Sequence, residues 1–386
     1  MMAIPACPGV TKDEMTQPDD LLPEGLEDRL PAEARRITLA MRSALHALDR
    51  HGYERVRPPL IEFEKSLAGR MAQGTDIGRT RHMFRFVDPA SLRTLALRSD
   101  MTPQVGRIAM TRMAQAPRPL RLAYCGETAV IRADQLDPAR EKLQLGAELI
   151  GADTVAAAAE IVTLAIEALA DAGLTDISVD FTLPDLVDTL ADAAMPLSAD
   201  ARGDVRRELD TKDAGGLKAA GGDAYLPLLY ATGPFAEAVE KLRAIDAGGA
   251  LASRIAGLEE IAARVGDTAR ITLDPTERHG FEYQSWFGFT LYADGVRGAA
   301  GRGGTYRIAG SEEPATGFSI FVDAIASAVA DPAQTDMLYL PLGHDRDAAA
   351  RLRAIGWRTL AQIGEGEDPR ALGCSHRLDD REPVAL

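Results

Sequence analysis

Positive charge falls well short of negative charge in this chain. Lys and Arg number 43 against 58 Asp and Glu, a net charge of −15, whereas a surface that grips a phosphate backbone normally gathers cations. Nucleic acid is therefore not an expected partner. The arginines between Arg29 and Arg57 do cluster, but among acidic neighbours and at helical spacing, the pattern of a solvated face. Cysteine is scarce too. Cys7, Cys125 and Cys374 are odd in number and widely separated, with no CxxC pair, so neither a disulfide framework nor a zinc site is expected and the thiols should be reduced. No apolar run reaches the roughly 20 residues that span a bilayer, and the start MMAIPACPGVTKDEMTQPDD lacks the basic-then-apolar order of a signal peptide. No membrane contact is expected, and the expected compartment is the cytoplasm.

What is present is enough chain, 386 residues, for one large domain with smaller attachments. Residues 1–20 read as a loose start and Leu21 to Pro31 as a proline-bounded lead-in. Ile37, Ala40, Met41, Ala44, Leu45 and Leu48 recur at helical spacing until Gly52. Tyr53 to Arg57 reads as a strand running into Pro58 and Pro59, which cannot continue a central ladder. Further strands fit Met83 to Val87, Thr94 to Arg98, Leu120 to Cys125, Gln144 to Ile150, Ile177 to Phe181 and Phe289 to Ala293. An alanine-rich helix spans Thr154 to Ala172, with Asp153 or Thr154 as N-cap and Gly173 as its stop. Residues 184–266 turn to Ala, Asp, Glu, Leu and glycine clusters, a helical insertion between core segments 21–183 and 267–330. Residues 331–386 offer strands at Met337 to Leu340 and Arg358 to Ile363 with a helix near Ala348 to Ala354, little for an independent domain.

The sharpest local signal is LQLGAELIG, Leu143 to Gly151. Its alternation places Leu143, Leu145, Ala147 and Leu149 on a core face, and Gln144, Gly146 and Glu148 on the other. An amide, a gap without a side chain and a carboxylate suit a small ligand bearing an ammonium group, lying in the gap. A half-exposed strand with its polar side in water gives the same pattern.

Read in order, the segments resemble the catalytic core of class II aminoacyl-tRNA synthetases, and histidyl-tRNA synthetases in particular, over roughly Leu21 to Ala330. The long helix and GYERVRPP resemble the first motif, which implies a dimer interface built around Pro59. LALRSDMTPQVGRIA is similar to the LRPEGT loop, which places Asp100 and Thr102 against the amino-acid ammonium. QLGAELIG is similar to QLGCEVFG, so Gln144 and Glu148 carry over as amino-acid contacts. HGFEY, His279 to Tyr283, is similar to RGLDY and brings Tyr283 to the imidazole. GRGGTY, Gly301 to Tyr306, resembles the glycine-rich GGRYDGL and is expected to floor the pocket. The implied fold is α+β: an antiparallel class II synthetase-like sheet flanked by helices, with a helical insertion and a short degenerate C-terminal α/β segment.

The departures bear on activity. The second-motif arginine that holds the α-phosphate of ATP falls at Val130, with Arg132 two residues away. The third-motif arginine falls at Ala324 within GFSIFVDAI, and the histidine-specific arginine at His279, beside Arg278. Adenylation depends on such positioned cations. The segment after the core is also too short for the complete anticodon-binding domain of these synthetases. Histidine-holding residues kept and ATP- and tRNA-holding ones missing is the pattern of the regulatory subunits of ATP phosphoribosyltransferase, synthetase paralogues without aminoacylation activity. That resemblance implies a hetero-octamer with the short catalytic subunit, self-association as a dimer, histidine as feedback inhibitor, and no cofactor or metal. The alternative is an active synthetase-like enzyme that adenylates histidine through the displaced Arg132 and Arg278.

Each residue also has a plainer reading. Asp100 and Thr102 fit an Asx or ST turn before Pro103. Glu148 is costly to bury in an apolar strand unless paired, and a bound ammonium is such a partner. Tyr283 fits packing as well as a polar handle, and Gln284 stands where the synthetases have a second tyrosine. His279 reads as a substituted relic, and with Arg132 and Gln284 it completes the candidate pocket set. Trp286, Phe287 and Tyr292 read as core or interface.

Overall fold

A computed structural model describes residues 21–71, 83–132, 138–246, 248–278, 284–330 and 336–386. The chain divides into two compact units at Ala330/Asp331.

The first unit begins with the Pro31–Arg50 helix, whose proline occupies the first turn, where its missing N–H costs nothing. Ala40, Ala44, Ala47 and Leu48 are its buried positions, a stripe at i, i+4, i+7 and i+8. It ends at Gly52, where φ is +76° and the Tyr53 N–H returns to the Leu48 carbonyl. The Val155–Asp171 helix is buried nearly all round, because it packs against the Pro31–Arg50 helix, the Ala252–Val265 helix and the sheet. Of the two candidate caps, Thr154 caps it, accepting from the Ala157 N–H.

Nine strands form the main sheet: β1 (Glu54–Arg55), β5 (Leu120–Ala129), β6 (Glu141–Ile150), β7 (Ser178–Thr182), β8 (Gly233–Pro234), β9 (Arg270–Leu273), β10 (Gln284–Tyr292), β11 (Gly301–Arg307) and β12 (Pro314–Phe321). Their spatial order is β1-β5-β6-β12-β11-β10-β7-β9-β8. The run from β5 to β7 is antiparallel throughout, while β1 with β5 and β7 with β9 are parallel. A small sheet of β2 (Ile61–Phe63), β4 (Thr94–Leu97) and β3 (Arg85–Val87) stands beside it. The α+β architecture agrees with expectation. Several strands are longer than their apolar stretches suggest, since β5 and β6 pair over ten residues, into polar sequence.

One face of the main sheet carries Leu145, Ala147, Leu149, Phe287, Phe289, Phe318 and Ile320 into the principal core beneath the helices. The described residues of 184–266 are mainly helical, with the two-residue strand β8 pairing β9, and their buried positions, among them Val205, Leu217, Tyr225, Leu242 and Leu258, join the same core. On the opposite face the Thr102–Thr111 helix covers one end. Met101, Val105 and Ala109 pack there on Leu122, Tyr124, Ile150, Tyr306 and Ile308. The Arg98 guanidinium, only 4% exposed, donates to the carbonyls of Pro58 and Glu127 at 3.0 and 2.7 Å. It thereby ties the Pro58–Pro59 segment to the end of β5.

The second unit is a four-stranded sheet ordered β14 (Arg358–Ala361), β13 (Met337–Leu340), β15 (His376–Asp379), β16 (Glu382–Ala385), with the Arg346–Ala354 helix. Leu338, Leu340, Ala349, Leu352 and Leu378 form its own small core. The β15–β16 hairpin is an addition to the elements expected from sequence.

Candidate functional site

The alternation in LQLGAELIG sorts as its period requires: Leu145, Ala147 and Leu149 lie in the principal core, and Gln144 and Glu148 face the other way. That other face is not wet. Gln144 is 2% and Glu148 1% exposed, because the Thr102–Thr111 helix and neighbouring strands close over them.

The space above Gly146 is filled by the chain itself, which corrects the expectation of a ligand in that gap. A Cβ there would lie 2.5 Å from the Tyr124 hydroxyl. Tyr124, directly across on β5, spends that hydroxyl on Glu148 Oε1 at 3.1 Å and on Ser319 Oγ at 2.8 Å. Tyr306 donates to Glu148 Oε2 at 2.7 Å. The carboxylate leans across Gly317, the next residue over on β12, where no side chain blocks it.

Asp100, Thr102 and Gln144 come together beside this group. Asp100 Oδ1 accepts from the Thr102 N–H at 3.0 Å and from Gln144 Nε2 at 2.8 Å, so the Asx turn and the link to the strand coexist. Gln144 Nε2 also reaches Ser319 Oγ at 2.9 Å, and its Oε1 accepts from the Met101 N–H at 2.8 Å. Thr102 Oγ1 lies 3.1 Å from the Tyr124 hydroxyl. Four of the expected contacts thus share one buried hydrogen-bonded network.

No Lys, Arg or His among the described residues forms an ion pair with Glu148. Burial pushes its carboxyl up to about 8, against the pull of the Tyr306, Thr102 and Tyr124 hydroxyls, and Asp100 adds repulsion. Around neutrality burial therefore favours the protonated form.

The cavity beside Glu148 measures about 20 Å³ and is lined by Thr102, Arg302, Tyr306, Ser319 and the Gln284 side chain, among others. It has room for about one water molecule, so an amino acid enters only if side chains withdraw. Gln284 lines the cavity from β10. Its amide lies over Gly288 and Gly304 and holds the Gly303 carbonyl at 2.7 Å. A larger groove of about 450 Å³ lies on the helix-covered side, between Leu149, Pro119 and the Val155–Asp171 helix. Arg121 pairs there with Glu160 at 2.7 Å, and His51 Nε2 lies 2.6 Å from Glu167 Oε2 at its rim.

Tyr283 and His279 lie outside the described residues. Arg132 is exposed beyond the end of β5 and does not line the cavity. Arg278, the other displaced arginine, is placed at the insertion, its N–H donating to Asp210 at 2.8 Å. Ala324 sits in the short Val322–Ala326 helix. Of Trp286, Phe287 and Tyr292, Phe287 is fully buried in the core and Trp286 packs at its border. Tyr124, Ser319 and Arg302 belong to the site without having been singled out in the sequence. Tyr124 was recoverable in principle, since alternation in LRLAYCGET puts it opposite Ala123 and Cys125.

Comparison with known proteins bears on the fold and the family. Residues 25–325 match the family model described as histidyl-tRNA synthetase. The ATP phosphoribosyltransferase regulatory subunit of Rhodospirillum centenum is 40% identical over 377 residues, covering 95% of this chain and 96% of that one. Its counterpart from Paramagnetospirillum magneticum is 41% identical over 369 residues, at 93% and 96% coverage. In structure, the chain resembles an ATP phosphoribosyltransferase regulatory subunit/histidyl-tRNA synthetase from Bacillus halodurans, with a TM-score of 0.78 at 23% identity, covering 93% and 97%. It also resembles a histidyl-tRNA synthetase from a Nostoc species, with a TM-score of 0.75 at 14% identity, covering 93% and 90%. A shared synthetase fold, with full-length relatives at this level of identity, places the chain in the family of ATP phosphoribosyltransferase regulatory subunits.

Proposed function

We propose that the chain acts in the cytoplasm as the non-catalytic partner of a short-form ATP phosphoribosyltransferase, pairs with itself through the segment around Pro59, and senses histidine in the Glu148 pocket. The observation that carries the sensing role is the Glu148 carboxylate itself. It is fully buried, bonded only to neutral hydroxyls and held above its usual pKa by burial. Such a group is costly to a fold and well suited to a ligand that brings an ammonium or imidazolium into the cavity. Asp100, Thr102 and Gln144 supply further acceptors and donors around it.

Adenylation has weaker support. Val130 spends its backbone on Arg140 just past the end of β5, Ala324 carries no charge, and Arg132 and Arg278 stand away from the cavity. The test mixes the purified chain with a short-form catalytic subunit. Phosphoribosyl transfer to ATP should rise on mixing, fall when histidine is added, and be accompanied by one larger species in sedimentation. Separate species and unchanged transfer would refute the assignment. Histidine-dependent pyrophosphate exchange at ordinary synthetase rates would favour the enzyme instead.

A further inference from the structure

The face that holds Glu148 has a second charged pole. Cross-strand pairing aligns Gly146, Ser319, Arg302, Thr290 and Asp180 in one row over β6, β12, β11, β10 and β7. The neighbouring row, two residues along each strand, reads Glu148, Gly317, Gly304, Gly288 and Thr182. Three adjacent glycines leave a strip of bare backbone, over which Glu148 leans from one side and the Gln284 amide lies from the other. Among the described residues lining the cavity, Arg302 is the one cation and Glu148 the one anion.

Their placement sets a spacing. Neighbouring strands are about 4.8 Å apart, the Glu148 carboxylate stands over β12 at Gly317, and Arg302 rises from β11, the next strand. Glu148 springs from β6 and Arg302 from β11, two strands apart, with the carboxylate leaning over the intervening β12 in the neighbouring row. An α-amino acid carries a cation and an anion at that scale. A guanidinium presents a planar fork of donors that matches a carboxylate.

We propose that Arg302 holds the carboxylate of an α-amino acid whose cationic group faces Glu148, so that the pocket selects the zwitterion over an amine lacking the carboxylate. This rests on the amino-acid-pocket reading above. Arg302 also stabilises the charge of Glu277. Glu277 also hydrogen bonds Asp180, so a ligand that draws Arg302 away leaves Glu277 with a partner that can share its proton. Ser319, beside Arg302 in the row, already faces Gln144 and Tyr124. The arginine thus borders the network that surrounds Glu148.

Calorimetry on the full chain with histidine and with histamine, which keeps the imidazole and ammonium but has no carboxylate, tests the assignment. The wild type should prefer histidine by about 10- to 100-fold, the worth of a charged hydrogen-bonded contact. In Arg302→Gln the preference should collapse toward unity while histamine binds as before, and Arg302→Lys should restore part of it. An undiminished preference in Arg302→Gln would overturn the proposal. So would loss of histamine binding in that variant, because the arginine would then be supporting the pocket rather than the carboxylate. Equal binding of both ligands by the wild type removes the role of Arg302 and leaves the pocket reading intact, whereas binding of neither sinks both.

Discussion

Glu148→Gln separates the cost of the buried acid from its use. In the unfolded chain a glutamate titrates near its ordinary 4.5, whereas the native group is pushed up to about 8 by burial. Between those values the native chain binds the extra proton, so its stability should fall as pH rises through that window and level off above it. At roughly 1.4 kcal/mol for each pH unit, the full displacement amounts to about 5 kcal/mol as an upper bound. Glutamine imitates the protonated acid in shape and cannot ionise. The variant should therefore match the wild type near pH 5 and exceed its stability by a few kcal/mol at pH 8, in urea unfolding followed across that range. Function should move the other way. Losing the counter-charge should weaken histidine about 10- to 100-fold. Binding to the wild type at pH 7 should also release nearly one proton that the variant does not release, because the incoming cation ionises Glu148. Calorimetry in two buffers of different ionisation enthalpy reads that difference, and the ligand's own titration cancels between the two proteins. Parallel stability curves, or equal proton release, would refute the account of Glu148 as a neutral acid awaiting a cation.

Gly317→Ala should damage the pocket and leave secondary structure intact. Its Cβ would stand 1.8 Å from Glu148 Oε2 and 2.8 Å from the Ala147 carbonyl, so about 1–3 kcal/mol of stability and most histidine affinity should be lost together, in unfolding and binding measurements. Unchanged affinity would show that the carboxylate has another place to lie. Arg98→Met keeps the apolar stem but strands the Pro58 and Glu127 carbonyls that the guanidinium now serves. It should cost roughly 2–5 kcal/mol and, if the Pro59 segment forms the self-association surface, shift sedimentation toward the monomer. A fully stable variant would mean that water replaces the guanidinium without loss.

The sequence determined the local grammar of this protein by itself. The two faces of LQLGAELIG are fixed by the two-residue period of a strand, so Leu145 and Ala147 had to part from Gln144 and Glu148. The Thr154 cap and the stops at Gly52 and Gly173 follow from hydrogen-bonding groups within a few residues of each other. Asp100, Thr102, Gln144 and Glu148 were legible as a set because the motifs that carry them occur in order. What lies across strands was decided only by the tertiary structure. Strand β12 pairs β6 from some 170 residues away, and only that register puts Gly317 under Glu148 and Ser319 beside Gln144. Tyr124 fills the place that the bare Gly146 seemed to leave for a ligand, and Arg302 becomes the cavity's cation only because β11 lies next to β12. Periodicity along the chain fixes which way a side chain points. What it points at depends on register between distant segments, which the packing of the whole sheet sets.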